Sequence, residues 1–128
     1  MTVFNLQRIN QGEVHILSLS GHMGNDEFCR VDRELAHLLE QKHRRAILDL
    51  ALLSSATRMS LARLLVCGRE FRRHGGELKL VGLSTSLRRI VEVAGFDREK
   101  DLAADVAAAL KTMSQPVEAN PSEPLEKK

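Results

Sequence analysis

Tryptophan and tyrosine are missing from this chain of 128 residues, and phenylalanine occurs only four times. Few platforms remain on which unpaired bases could stack, which argues against a single-strand nucleic-acid binder. The core must therefore come from Leu, Val, Ile and Ala, and 43% of the residues are hydrophobic, enough for one ordinary domain without metals or cross-links. Cysteine is scarce as well: Cys29 and Cys67 form neither a CxxC nor a metal-ligand spacing and are expected to be reduced, half-buried thiols. Charge of one sign does not dominate. The formal net charge is +2, and the basic residues run from Arg8 to Lys128, whereas nucleic-acid binders gather theirs on one face. No apolar run approaches the roughly 18 residues of a membrane span, and residues 1–9 lack a basic-then-apolar leader. A cytoplasmic protein that does not insert into membranes is expected.

Catalytic and cofactor patterns are also thin. The histidines, His15, His22, His37, His43 and His74, build no HExxH, HxH or Cys-His set, so no metal is expected. Gly21-His22-Met23-Gly24 has neither the lysine of a P-loop nor GxGxxG spacing. Asp49, Ser84 and Gly21 gather at the strand ends where such sheets hold ligands, yet one acid and small hydroxyls name no reaction. The chain reads as non-catalytic and without cofactor.

What is there is strong patterning. Residues 2–9 alternate as an edge strand, Asn10-Gln11-Gly12 is turn chemistry, and residues 14–19 alternate again, which predicts a hairpin. Asn25 or Asp26 is a candidate cap for a helix whose apolar stripe is Phe28, Val31, Leu35, Leu38 and Leu39, ending near Lys42-His43. The apolar run Ala46-Ile47-Leu48-Asp49-Leu50 predicts a central strand. A hydroxyl-rich loop, Ser54-Ser55-Ala56-Thr57, follows, and then a second helix over residues 58–74, closed at Gly75-Gly76. Leu78, Leu80 and Val81 make another strand, Ser84, Thr85 or Ser86 caps a third helix ending at Gly95, and residues 101–113 read as a fourth, Ala-rich helix. The composition from residue 114 onward predicts a disordered tail, which leaves one domain over 1–113 and a tail over 114–128. The order is α/β: a mixed sheet of about four to five strands with an N-terminal hairpin and about four helices.

Over about residues 10–112 the chain resembles bacterial anti-sigma factor antagonists, the STAS family. The likeness rests on Ile47-Leu48-Asp49-Leu50, the helix that runs to Gly76, Leu78-Lys79-Leu80-Val81-Gly82, and the stretch from Ser84 through Arg88-Arg89-Ile90-Val91 to Gly95-Phe96. It implies a STAS fold and a protein partner: an anti-sigma factor, commonly a serine kinase, which the antagonist sequesters to free the sigma factor. The family motif at the start of the second helix is Asp-Ser-x-Gly-Leu, with a small third residue, and its Ser takes the phosphoryl group. Gapless alignment from Asp49 to Gly76 sets Thr57 at the Asp, Arg58 at the Ser, Met59 next, Ser60 at the Gly and Leu61 at the Leu. Only Leu61 is retained. Arginine accepts no phosphoryl group, so the usual switch cannot operate at Arg58. Ser54, Ser55, Thr57 and Ser60 stay open as acceptors, with Thr57 and Ser60 foremost, beside the simpler reading that they cap the helix or turn the loop.

At 100° per residue Leu61, Leu64, Leu65, Gly68 and Phe71 gather on the side of the second helix expected to face the sheet. The opposite side carries Met59, Ala62 and Val66 among Arg63, Arg69 and Arg73. Arg and Met are enriched at protein interfaces. The expected partner-binding set is Thr57, Arg58, Met59, Ser60, Ala62, Arg63, Val66 and Arg69, in competition with an ordinary solvated basic face. Two other functions stay open: a STAS subunit of a larger assembly, such as a lipid-transport ABC permease or stress-signalling complex, and a small nucleotide- or ligand-binding domain. A homodimer is also compatible.

Overall fold

The computed structural model describes residues 3–97 and 101–113; the tail expected over 114–128 lies outside them. The elements run β1 (Asn5–Gln11), β2 (Val14–Met23), α1 (Asn25–Glu40), β3 (Arg45–Ala56), α2 (Arg58–Arg73), β4 (Glu77–Val81), α3 (Thr85–Ala94), β5 (Leu102–Ala103) and α4 (Val106–Met113). The five strands lie in chain order, β1-β2-β3-β4-β5, in one sheet. The β1–β2 hairpin is antiparallel and every later pairing is parallel. The mixed sheet with its N-terminal hairpin and helices is thus as expected.

Alternation of side chains decides what each face of the sheet meets. Leu17 and Leu19 of β2, Leu48 and Leu50 of β3, and Leu78 and Leu80 of β4 point to one side. There they meet Phe28, Val31, Leu35 and Leu38 of α1, Leu61, Leu64 and Phe71 of α2, and Leu87 and Val91 of α3. The intervening residues Val14, Ile16, Ile47 and Val81 point to the other side, where Ala109 and Met113 of α4 cover them. Each fully buried Leu or Phe contributes about 1.5–3 kcal/mol, so the α1–α3 side carries most of the stability.

Four local expectations are corrected. The hydroxyl-rich stretch is not a loop: β3 continues through Ser54 and Ser55 to Ala56, because β2 itself continues to Met23 and pairs with it, His22 opposite Ser55 and Met23 opposite Ala56. Asp101 does not open a helix. Leu102 and Ala103 pair with Leu80 and Val81 as a two-residue edge strand, and α4 begins only at Val106. The α1 cap is Gly24, whose N–H donates to Glu27 Oε1 at 3.0 Å; the Asn25 side chain is used elsewhere. Cys29 is exposed and Cys67 buried, so the two thiols are not alike. The caps expected at Ser84 and at Gly75-Gly76 are present, Gly75 in the left-handed region at φ 79°. Gly76 is required for another reason: a Cβ there would strike the Arg44 carbonyl, which accepts the Glu77 N–H at 2.8 Å.

His15 is a buried polar group on the α1–α3 side of the sheet. It is 7% exposed and stacks at a tilt on His43, ring centroids 4.1 Å apart. Its Nδ1 has no hydrogen-bond partner among the described residues, a deficit of about 1–3 kcal/mol. Burial, then the charges of His43 and Arg8, hold its pKa below the ordinary 6.5. The unfolded chain therefore takes up this proton at a higher pH than the folded one. Stability is full above about pH 6.5 and falls as the pH drops from there toward the folded-state pKa. Urea unfolding at pH 7.5 and pH 5.5 should show the wild type losing stability at the lower pH, and His15→Phe should lose measurably less.

Candidate partner-binding face

Because β2 and β3 stay paired up to Met23 and Ala56, α1 and α2 start side by side. Thr57 links them. Its hydroxyl accepts the Ser60 N–H at 3.1 Å as the α2 cap and donates to Asn25 Oδ1 at 3.0 Å in the first turn of α1. The Thr57 N–H donates back to the Met23 carbonyl at 3.2 Å. Ser60 is 0% exposed, and its hydroxyl lies 3.1 Å from the Met23 carbonyl and 2.9 Å from that of Thr57, with one proton to share between them. Its place is inside the helix–strand junction, closed to a modifying enzyme in this conformation. Beside this junction His22 Nδ1 and Ser55 Oγ are 2.7 Å apart. Asn25 and the His22–Ser55 pair were not legible in the sequence, because the contacts join residues 32 and 33 positions apart.

The outward side of α2 is as the helical periodicity predicts. Met59 is 58% exposed and Val66 56%, with Arg58, Ala62, Arg63 and Arg69 exposed around them. Leu61, Leu64, Gly68 and Phe71 are buried on the other side and Leu65 partly so, joined by Cys67 and Ser60. The cations differ in their ties. Arg72 pairs with the buried Asp101 at 2.9 Å and fastens α2 to the start of β5, while Arg73 pairs with Glu70 at 3.0 Å. Arg58, Arg63 and Arg69 have no ion-pair partner among the described residues. Arg63 is oriented all the same, its guanidinium 4.8 Å from the centre of the Phe28 ring of α1. The face thus offers two large apolar side chains inside a ring of positive charge.

Cys67 lies behind this face. Its thiol is 3.5 Å from Asp32 Oδ1. Burial, then the Asp32 charge and hydrogen bond, push its pKa up to about 12, against a small opposing effect of Arg63. It is a packing group and not a nucleophile. Among the described residues no group of three or more His, Cys, Asp and Glu is arranged to hold a metal ion, and no helix is long and apolar enough to cross a membrane.

Residues 7–104 match the family described as Mlab, STAS domain. The chain belongs to the STAS family. Its fold is also that of solved anti-sigma factor antagonists. A variant of RsbS from Moorella thermoacetica superposes with a TM-score of 0.76 at 13% identity, over 89% of this chain and 98% of that one. An anti-sigma factor antagonist from Mycobacterium paratuberculosis gives 0.75 at 15%, over 87% and 94%. SpoIIAA, the Bacillus cell fate determinant, gives 0.68 at 17% in its phosphorylated form, over 86% and 98%. The same fold occurs within the murine anion transporter Slc26a9, with a TM-score of 0.62 at 11% identity, over 81% of this chain but only 18% of that one. No curated protein sequence matches significantly.

Arg58 is the first residue of α2 and exposed. Thr57 caps the helix. Thr57→Ala should lower the unfolding free energy by about 1 kcal/mol in urea titration, and Thr57→Ser should keep most of it. With a thiol-specific reagent at pH 8, one cysteine, Cys29, should react at once and Cys67 at least about tenfold more slowly until denaturant is added.

Proposed function

We propose that this chain is a non-catalytic bacterial regulator that binds an anti-sigma factor or a related serine kinase through α2 and the residues before it, and that it works without the usual serine phospho-switch. The observation that carries this reading is the outward side of α2: Met59 and Val66 exposed among Arg58, Arg63 and Arg69, in a chain with the STAS fold. A central apolar pair gives the surface something to desolvate, and the guanidinium groups around it favour an acidic partner and speed the encounter. Competition is the mechanism: while the anti-sigma factor is held here, the sigma factor is free. Arg58 puts a permanent positive charge where the family serine would gain a negative one, so binding is constitutive. If any modification remains, Thr57 is the acceptor, and a phosphoryl group there would break both the cap and the link to Asn25.

A second reading, a subunit docked on a larger assembly such as a lipid-transport ABC permease complex, draws on two observations. The family matched carries the Mlab description, and the same fold forms a small part of an anion transporter. Such a subunit needs the α2 face but no phosphoacceptor. An affinity pull-down from native lysate, wild type beside Arg63→Glu/Arg69→Glu and read by mass spectrometry, separates the two. Recovery of an anti-sigma kinase, reduced at least about tenfold by the double variant, is the expected result. Transporter subunits lost in the same way would support the second reading. Partners retained equally by the double variant would remove the α2 face from both.

A further inference from the structure

The sheet has two open edges among the described residues, and they are unlike. β5 is two residues long, too short to recruit another strand. β1 is seven residues long, pairs in unbroken register with β2 on one side only, and has six of its residues exposed. Proteins blunt an edge of that length with proline, lysine, a bulge or a covering helix. The run Asn5-Leu6-Gln7-Arg8-Ile9-Asn10-Gln11 has none of these, and its one charge, Arg8, is already paired with Glu34 of α1 at 2.9 Å.

The hairpin fixes which backbone groups face outward. Gln11 and Val14 flank a two-residue turn whose first residue, Gly12, has φ 61°. Residues flanking such a turn bond to each other, and the pattern then alternates along the pair. Gln11, Ile9, Gln7 and Asn5 therefore spend their N–H and C=O groups on β2, while those of Asn10, Arg8 and Leu6 point to the open edge. A two-fold axis normal to the sheet sets residues of the same facing opposite each other. A centre on Arg8 uses all three outward residues, Arg8 against Arg8 and Leu6 against Asn10 in both directions, for about six hydrogen bonds.

The side chains suit this register. On the α1 side the Arg8–Glu34 pairs of two copies meet at the axis, so that each carboxylate offsets the repulsion of facing arginines. On the other side Ile9, 52% exposed, comes opposite Gln7 of the second copy and diagonal to its Ile9. The edge is self-complementary in backbone, charge and apolar surface.

We propose that two copies of this chain pair through β1, antiparallel about a two-fold axis at Arg8, to form one continuous sheet. The edge lies beyond β2 from α2, which packs over β3 and β4, so both α2 faces stay open in the dimer and the proposal does not rest on the reading of that face.

Sedimentation velocity of the full chain, from micromolar to submillimolar concentration, reads the association, and a reversible monomer–dimer equilibrium is expected. Asn10→Pro removes an N–H that a single copy leaves to water. Its urea unfolding should be little changed while the dimer dissociation constant rises at least about tenfold. Arg8→Glu gathers carboxylates at the axis and should weaken the dimer by a similar factor, and Arg8→Glu/Glu34→Arg should restore it. Arg63→Glu/Arg69→Glu should leave it unchanged. Should Asn10→Pro fail to fold, the charge variants decide alone. A chain monomeric throughout, a dimer undiminished in folded Asn10→Pro or in Arg8→Glu, or one lost in Arg63→Glu/Arg69→Glu would overturn the proposal.

Discussion

The parallel pairing of β2 with β3 governs the arrangement of everything above it. These two strands do not stop where β4 stops. They run on, with two register shifts, to Met23 opposite Ala56, and the chain leaves both into helices. Since parallel strands end on the same side of a sheet, α1 and α2 must begin there as neighbours. The Met23 carbonyl then takes the Thr57 N–H and lies within reach of the Ser60 hydroxyl, while Thr57 reaches Asn25. The junction binds the two helices to each other as well as to the sheet, so α2 presents its outer side in one orientation.

That orientation separates two kinds of chemistry on one helix. Residues at the inner spacing, Leu61, Leu64 and Phe71, are removed from water and anchor the helix. Residues at the outer spacing stay wet. Thr57 and Ser60 belong to the inner set by their contacts, although both carry hydroxyl groups that a sequence reading treats as reactive. Arg58 and Met59 belong to the outer set. The hydroxyl groups of Thr57 and Ser60 are employed in holding the junction closed.

The two ends of the molecule also differ in the origin of their charge. At the α2 end the cations lie on a helix surface around apolar groups, which suits a protein. At the hairpin end they line an open recess beside the end of α1. Both ends are basic, yet the formal charge of the whole chain is only +2, so net charge alone could not have revealed either.

Periodicity is a local property, and the sequence determined what is local. The period of 3.6 identified α1, α2 and α3 and the buried side of each, alternation identified the hairpin, and the glycines at 75 and 76 and the serine at 84 marked helix ends correctly. The segments Ile47 to Leu50, Met59 to Gly76, Leu78 to Gly82 and Ser84 to Phe96 together carried the family resemblance. Tertiary structure decided whatever depended on a partner far along the chain. Leu102 and Ala103 sit in an Ala-rich run with good helix propensity, and become a strand only because the edge of β4 has donors and acceptors to fill. Ser54 and Ser55 resemble a loop in composition, and are strand because β2 extends beside them. Gly24 stands at the α1 cap, and the Asn25 side-chain Oδ1 instead accepts from Thr57, 32 residues away. Composition records what a segment prefers by itself; pairing and burial belong to two segments at once, and no single stretch of sequence contains them.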